Sequence, residues 1–278
     1  MKQNLKYYLK NNLSKKELEL VPTSFDVVGD IMIFSGFPKE LVKKEKMIGN
    51  TILKNYHNIK TILKKTKKYS GKFRTPKLKV IAGENRKDTI HKENNVFIKL
   101  NVEEVYFSPR MASERKRIAD LINPNESVLV MFSGAGPYPL VIAKNTKCKE
   151  AYGIEINQIA YRYTLENIKK NKLENKIKIF LGDVKKILPK LNKKFDRILM
   201  PLPKGGEDYL NLALRHIKNK GSVHFYDFLH EDEFQKAEEK AVKACKRTNK
   251  KCKLLRTVKC GQYSPGFYRV CVDFSVNI

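Results

Sequence analysis

The chain is short of acid. Its 278 residues carry 29 aspartates and glutamates against 57 lysines and arginines, a formal charge of +28. It is also short of long apolar runs. No window approaches twenty consecutive apolar residues, which excludes an ordinary membrane-spanning helix. The first residues, MKQNLKYYLKNN, have neither the apolar stretch nor the small-residue cleavage site of a secretory signal, so a cytoplasmic protein is expected. Cysteine is sparse and unpaired in pattern: five, at 148, 245, 252, 260 and 271, with no C-x-x-C. That arrangement points away from a disulfide framework and from a standard zinc site, and no metal is expected. There is no internal repeat and no low-complexity linker.

The shortage of acid is regional. Residues 1–100 hold 23 basic and 9 acidic side chains, so half of the excess sits in about a third of the chain. From Lys54 to Lys79 there are ten basic residues and no acidic one. Such a field attracts polyanions, with nucleic acid the natural candidate. Solvated lysines of a lysine-biased proteome are the plainer alternative; the regional skew favours nucleic acid, though charge alone does not decide it.

The length suits two domains. A small basic α+β domain is expected over residues 1–100. Its strands are read at SFDVVGDIMIFSG (24–36), IKTILKKT, LKVIAGE and NVFIKLNVEEVYFS, and its helix over 39–56. From about residue 108 strand and helix alternate: ASERKRIADLI, SVLVMF, PLVIAKNT, EAYGIEIN, QIAYRYTLENIKKNKL, KIKIFLGD, VKKILPKL, FDRILMPLP, GEDYLNLALRHIKN, GSVHFYDF and EDEFQKAEEKAVKACKRT. A closing strand pair follows. This rhythm predicts, over 101–278, a mainly parallel sheet covered on both faces with an antiparallel last strand. That is the Rossmann-like methyltransferase (class I) variant of the doubly wound α/β fold rather than the dinucleotide variant.

Ligands of such sheets bind beyond the carboxyl ends of the strands. Gly134 and Gly136, in VLVMFSGAGPYP, follow the first strand, flanked by Phe132 and Ser133. Pro139 stands where a third glycine would complete a pyrophosphate fingerprint. Glu155, followed by Ile156, ends the next strand nineteen residues after Gly136, where a carboxylate can accept both hydroxyls of a ribose. Asp183 follows the third strand, placed to meet an adenine edge with the Val184 backbone. Glycine turn, ribose acid and adenine-side acid together describe a nucleoside without phosphates, and S-adenosylmethionine is the common cofactor of that shape. Glu155 and Asp183 also have an ordinary reading as strand-end caps.

VYFSPRMASERKRIADLI (105–122) resembles the S-P-R-x-x-x-E-R motif of the archaeal and eukaryotic tRNA (guanine-37) N1-methyltransferases. GKFRTPKLKVIAGE (71–84), HKENNVFIKLNVEEVYFSPR, GSVHFYDF and YSPGFYRVCVDF fit that family in the same order, from about residue 22 to the C-terminus. The resemblance implies an enzyme that acts on purine 37 in the anticodon stem-loop of tRNA; the sequence does not reveal its oligomeric state, with a monomer the favoured expectation. It implies Glu114 as general base and Arg74 as the arginine that steadies the reacting base, with Tyr106 and Arg110 lining the target pocket and Arg115 on the cofactor side. The chemistry calls for such residues. Guanine N1 must lose its proton before it can attack, and charge then builds on the neighbouring carbonyl oxygen. Singly, Arg74 also reads as a phosphate clamp, Glu114 as a first-turn helix acid and Tyr106 as a core aromatic.

Two features depart from the family pattern. Its usual N-L-P is here Pro201-Leu202-Pro203, residues expected to floor the target pocket, with Pro201 also beside the cofactor. MPLPKGGEDYL resembles an archaeal branch that also methylates C7 of 4-demethylwyosine, the tricyclic base made from N1-methylated guanosine. The roughly twenty residues before VPTSFDVVGD are too few for the extra domain with which members often reach the tRNA elbow. Three alternatives stay open: a wyosine aminocarboxypropyl transferase on the same fold, a non-catalytic RNA-binding module, and, least favoured, an NAD oxidoreductase.

Overall fold

A computed structural model describes residues 5–71 and 73–277, without the side chains of 68–70. The chain divides into two compact units. One holds the residues up to Lys92 together with Phe97–Pro109, and the other holds Glu93–Val96 together with the residues from Arg110 onward.

The smaller unit opens with two short helices, α1 (Leu5–Leu9) and α2 (Lys15–Leu20). Ser14 starts α2 with a reciprocal cap, its hydroxyl taking the Glu17 N–H while the Glu17 carboxylate takes the Ser14 N–H. Leu5, Leu9, Leu13 and Val21 enter a core with Met32, Phe34, Leu41, Ile48 and Ile52. The residues before 22 are thus part of this unit's hydrophobic interior, which their basic composition hides.

The single strand expected over 24–36 is a hairpin, β1 (Phe25–Val28) and β2 (Ile31–Phe34). Val28 pairs with Ile31, and Gly29, at φ +58°, turns the chain with Asp30. The helix expected over 39–56 is two segments, a 3₁₀ stretch over Lys39–Lys44 and then α3 (Glu45–Asn55). Helix α3 crosses over to β3 (Thr61–Ser70), parallel to β2, and β4 (Thr75–Gly83) returns antiparallel, giving the sheet order β1-β2-β3-β4. An unforeseen strand, β5 (Asp88–Glu93), pairs with β6 (Val96–Asn101). Asn94 and Asn95 join them at φ +41° and +63°, a backbone region that asparagine tolerates better than most residues.

The larger unit runs α4 (Ala112–Asp120), β7 (Ser127–Val130), α5 (Pro137–Asn145), β8 (Glu150–Glu155), α6 (Gln158–Lys170), β9 (Ile177–Leu181), α7 (Val184–Ile187), β10 (Phe195–Met200), α8 (Leu210–His216), β11 (Ile217–His230), α9 (Gln235–Arg247), β12 (Lys251–Ser264) and β13 (Phe267–Asn277). Its seven strands lie in the order β12-β13-β11-β10-β7-β8-β9. Strands β7 to β11 are parallel, and β13 is antiparallel to both β11 and β12. This is the Rossmann-like architecture expected from the strand rhythm, closed by the antiparallel last strand. All four residues of β7 are buried, as a strand covered on both faces requires. Helix α9 turns Ala237, Ala241, Ala244 and Cys245 inward against the side chains of β11 and β13. The order reverses at β7, between β10 and β8, so the loop after β7 stands at the switch point where such sheets take their ligands.

Candidate active site

The loop after β7 is held from two sides. From α6, the Thr164 hydroxyl donates to the Gly134 carbonyl at 2.9 Å and Asn167 Nδ2 to the Ala135 carbonyl at 3.1 Å. Both side chains are fully buried. From the tip of β8, Glu155 Oε2 accepts the Gly134 N–H at 2.7 Å and Oε1 accepts the Asn157 N–H at 2.7 Å. Gly136 closes the loop at φ +83° as the N-cap of α5, and a Cβ there would lie 2.8 Å from Thr164 Cγ2. Gly153 in β8 performs a second close approach, since a Cβ on it would meet Ser133 Cβ at 3.0 Å.

The side chains at the strand tips suit a nucleoside without phosphates. Burial pushes the Glu155 carboxyl up, and the N–H groups of Asn157, Gly134 and Ile156 pull against that rise. Each Glu155 oxygen takes one backbone donor in these bonds, which leaves acceptor capacity for a diol. The Ser133 hydroxyl is buried and has no hydrogen-bond partner among the described residues, a deficit that a bound polar group would satisfy. Asp183 is the N-cap of α7, accepting the Lys185 N–H at Oδ1 (2.8 Å). The ordinary capping reading of Asp183 therefore holds for that oxygen, while Oδ2 makes no hydrogen bond among the described residues. Phe132 is half-buried and packs edge-to-face on Tyr209, with ring centroids 4.9 Å apart. Ile156 is half-buried beside Glu155, and Val184 is buried in the first turn of α7. An orphaned buried hydroxyl, a carboxylate at a strand tip and a glycine turn with no room for Cβ fit S-adenosylmethionine.

Pro201, Leu202 and Pro203 follow β10 directly. Pro201 and Leu202 are half-buried and Pro203 is buried. The Leu202 N–H closes a tight turn onto the Met200 carbonyl at 2.7 Å, and Gly206 packs so close to Leu202 that a Cβ would lie 2.3 Å from its carbonyl oxygen. With two prolines and one N–H folded back, this floor offers carbonyls rather than donors.

Glu114 sits in the first turn of α4 and is 5% exposed. Arg117, one turn on, grips it as a fork: Nε to Oε2 at 2.7 Å and Nη2 to Oε1 at 2.7 Å. The Tyr226 hydroxyl of β11 donates to Oε1 at 2.6 Å. Arg117 continues to Asp273 of β13 (Nη1 to Oδ2, 2.6 Å), and Asp273 accepts His224 Nδ1–H at 2.5 Å. His224 Nε2 faces Arg197 Nη1 at 2.8 Å. A guanidinium can only donate, so Nε2 is an acceptor and the imidazole is neutral, in line with the downward push of burial on His224. Burial pushes Asp273 up, but the His224 hydrogen bond and the Arg117 fork outweigh it and hold the carboxyl well below the usual range. His224, Cys271 and Asp273 bring three potential metal ligands within 4.8 Å of one another. The guanidiniums of Arg117 and Arg256 on Asp273 and of Arg197 on His224 already supply the positive charge a cation would bring.

Arg115, adjacent to Glu114, is 3% exposed and forms a two-pronged pair with Glu93 through Nε and Nη2. The arginine expected on the cofactor side thus ties α4 to the tip of the β5–β6 ribbon. Arg110 is exposed in a 3₁₀ turn before α4. In the smaller unit, Tyr106 is 37% exposed in the segment after β6. Arg74 stands in the turn between β3 and β4 at φ +51°, its N–H on the Gly71 carbonyl. A bulky side chain in the left-handed region costs roughly 1–2 kcal/mol, a strain that clusters at functional positions. In the basic stretch, Lys64 and Lys79 are tied to Glu45, whereas Lys67 and Lys77 are exposed on β3 and β4. Lys72 and the Lys68 side chain lie outside the described residues.

The sequence reading passed over Thr164, Asn167, Arg117, Tyr226 and Asp273. Signals for them existed. Thr164 and Asn167 are polar at helical spacing on the stripe of Ala160 and Ile168, and Asp273 is an acid inside the apolar run VCVDF.

Comparison with known proteins places the chain in a family. Residues 89–255 match the model of the TRM5/TYW2 methyltransferase domain, and residues 5–86 match that of the TYW2 N-terminal domain. The chain is 37% identical to the tRNA (guanine(37)-N(1))-methyltransferase Trm5b of Pyrococcus abyssi, covering 96% of this chain and 78% of that protein. It is 36% identical to the tRNA (guanine(37)-N(1))/4-demethylwyosine(37)-methyltransferase Taw22 of Nanoarchaeum equitans, covering 76% and 86%. It is 33% identical to the tRNA(Phe) (4-demethylwyosine(37)-C(7)) aminocarboxypropyltransferase of Methanocaldococcus jannaschii, covering 90% and 96%. Among solved structures, aTrm5 in complex with tRNALeu superposes with a TM-score of 0.85 at 32% identity, covering all of this chain and 79% of that one. P. horikoshii TYW2 in complex with MeSAdo superposes at 0.83 and 25% identity, covering 100% and 99%. The chain belongs to the TRM5/TYW2 methyltransferase family.

Proposed function

We propose that the protein is an S-adenosylmethionine-dependent tRNA methyltransferase that modifies N1 of guanosine 37, acting as a cytoplasmic monomer on the anticodon stem-loop. The observation that carries this reading is the occurrence of a buried, fully oriented carboxylate, Glu114, on the same unit as a glycine loop locked by Glu155. The cofactor is held by Glu155, Ser133, Asp183 and the backbone of the Gly134–Gly136 loop, with Phe132, Ile156, Val184 and Pro201 around it. When bound, it supplies an electrophilic methyl group on a sulfonium.

The protein's own residues supply the remainder. Guanine N1 carries a proton, and Glu114 accepts it as the ring nitrogen becomes a nucleophile. Arg74 stabilises the charge that builds on the neighbouring carbonyl oxygen. Arg115 acts through its pair with Glu93, fixing the helix that carries Glu114. The Pro201-Leu202-Pro203 turn takes a base splayed out of its loop, and the family resemblance assigns Tyr106 and Arg110 to the same target base. Exposed lysines such as Lys67 and Lys77 meet phosphates. The carbonyl-rich floor, with the P-L-P-K-G resemblance, extends the range to C7 of 4-demethylwyosine. The test is transfer of labelled methyl into a tRNA transcript with guanosine at position 37 and into the same transcript with adenosine there. Label enters the first alone. Equal labelling of both rejects the target assignment.

A second reading, aminocarboxypropyl transfer from the same cofactor, is favoured by one observation: the N-terminal match over residues 5–86 is to the TYW2 N-terminal domain. The mass of the product nucleoside separates the two, since a methyl adds far less than an aminocarboxypropyl group.

A further inference from the structure

Glu114 does not meet its environment symmetrically. Oε1 takes two donors, Arg117 Nη2 at 2.7 Å and the Tyr226 hydroxyl at 2.6 Å. Oε2 takes only Arg117 Nε at 2.7 Å. A carboxylate oxygen offers two in-plane lone pairs, so Oε1 is filled and Oε2 keeps one. The direction of the Tyr226 bond is fixed by its neighbours. The Tyr138 hydroxyl of α5 donates to the Tyr226 oxygen at 3.0 Å, and the Tyr226 proton then has the carboxylate as its acceptor. Burial foremost, then the anionic groups around them, raises both phenols, which keeps them donors at neutral pH. Among the described residues, Glu114 interacts with Arg117 of α4, Tyr138 of α5, Tyr226 of β11 and Cys271 of β13, and this network continues through Asp273 to His224 and Arg256 and through Tyr226 and Cys271 to Cys260. Arg117 stands between two carboxylates, Glu114 and Asp273, so its fork is held at both ends.

We infer that Tyr226 and Arg117 are positioning residues for the reaction: they saturate Oε1 of Glu114 and present Oε2 as the oxygen that takes the proton from the purine nitrogen. The electron pair of the N–H bond stays on the ring, the proton passes to Oε2, and solvent removes it after turnover. The inference rests on the assignment of Glu114 as the base.

Single-turnover methyl transfer into guanosine-37 tRNA tests it, with cofactor affinity measured by calorimetry. Y226F, which removes one hydroxyl and leaves the ring, slows transfer about tenfold, as loss of a hydrogen bond to a charged group does, with cofactor affinity within about twofold of the wild type. The loss falls on the rate at saturating tRNA and leaves the half-saturating tRNA concentration unchanged. R117K keeps the charge, loses the fork and also slows transfer. In an E114Q background neither substitution slows the reaction further, because both act through Glu114. If E114Q is slow but Y226F runs at the wild-type rate, or the two losses multiply in the double variant, the positioning role is wrong and the base assignment stands. If E114Q itself runs at the wild-type rate, the base assignment falls and this inference with it.

Discussion

Replacing Gly136 with alanine separates two contributions to the cofactor loop. The residue sits at φ +83°, where a Cβ costs roughly 1 kcal/mol for the backbone alone. The new Cβ would also lie 2.8 Å from Thr164 Cγ2. That methyl cannot swing aside cheaply, because the Thr164 hydroxyl is held by the carbonyls of Gly134 and Ala160, both at 2.9 Å, and the side chain is fully buried. Overpacking of this kind costs about 2 kcal/mol. The sum, about 3 kcal/mol, lowers the melting temperature by roughly 6–12 °C for a unit of this size. T164S removes the obstructing methyl and keeps the hydroxyl. Calorimetric melting of the wild type, G136A, T164S and the double variant should therefore show G136A costing about 3 kcal/mol beside threonine and about 1 kcal/mol beside serine. An equal cost in both backgrounds would refute the methyl clash as the source of the strain.

Three further outcomes follow from the same site. Glu155→Gln puts an amide N–H against the backbone donors of Gly134 or Asn157, so cofactor affinity by calorimetry should fall roughly 10–100-fold; unchanged affinity would remove Glu155 from the cofactor site. His224 and Asp273 both have folded-state pKa values pushed below their ordinary ones, so the unfolded chain binds more protons. Their stability contribution is present above about pH 6.5 and about pH 4 respectively and is lost as pH falls below each. The melting temperature should drop progressively from neutral pH towards about pH 4, and less steeply between about pH 6.5 and 5 in H224N; a rise on acidification contradicts the neutral, donating imidazole. Charge reversal at Lys67 and Lys77 should weaken tRNA binding and lower the slope of log affinity against log salt by about one for each phosphate no longer neutralised, and an unchanged slope would take β3 and β4 out of the RNA-binding surface.

The fold of the larger unit was legible because its strands are short apolar runs bounded by turns and its helices carry a buried stripe, so SVLV, EAYGIE and FDRILM announced themselves. The hairpin of β1 and β2 was not, because Gly29-Asp30 makes a turn of only two residues inside an otherwise continuous apolar pattern. Strand β5, DTIHKE, alternates too weakly in polarity to stand out, and its exposed positions include Ile90. In the site, Glu155 and the glycines were visible because they sit next to strands in sequence. The network around Glu114 was not, because Arg117, Tyr226 and Asp273 come together from α4, β11 and β13, as many as 156 residues apart. Only the tertiary fold makes Asp273 a partner of Arg117. Arg115, which the family resemblance assigns to the cofactor side, is buried and paired with Glu93, a bond between residues 22 positions apart that no sequence pattern marks.

The activated group transferred is a methyl, and its first acceptor is guanosine 37. Nucleoside mass spectrometry tests this directly, with the full chain, S-adenosylmethionine and two tRNAs, one bearing guanosine at position 37 and one bearing 4-demethylwyosine. The first tRNA should yield N1-methylguanosine and the second a methyl gain. An unmodified guanosine together with an aminocarboxypropyl gain on 4-demethylwyosine would contradict it.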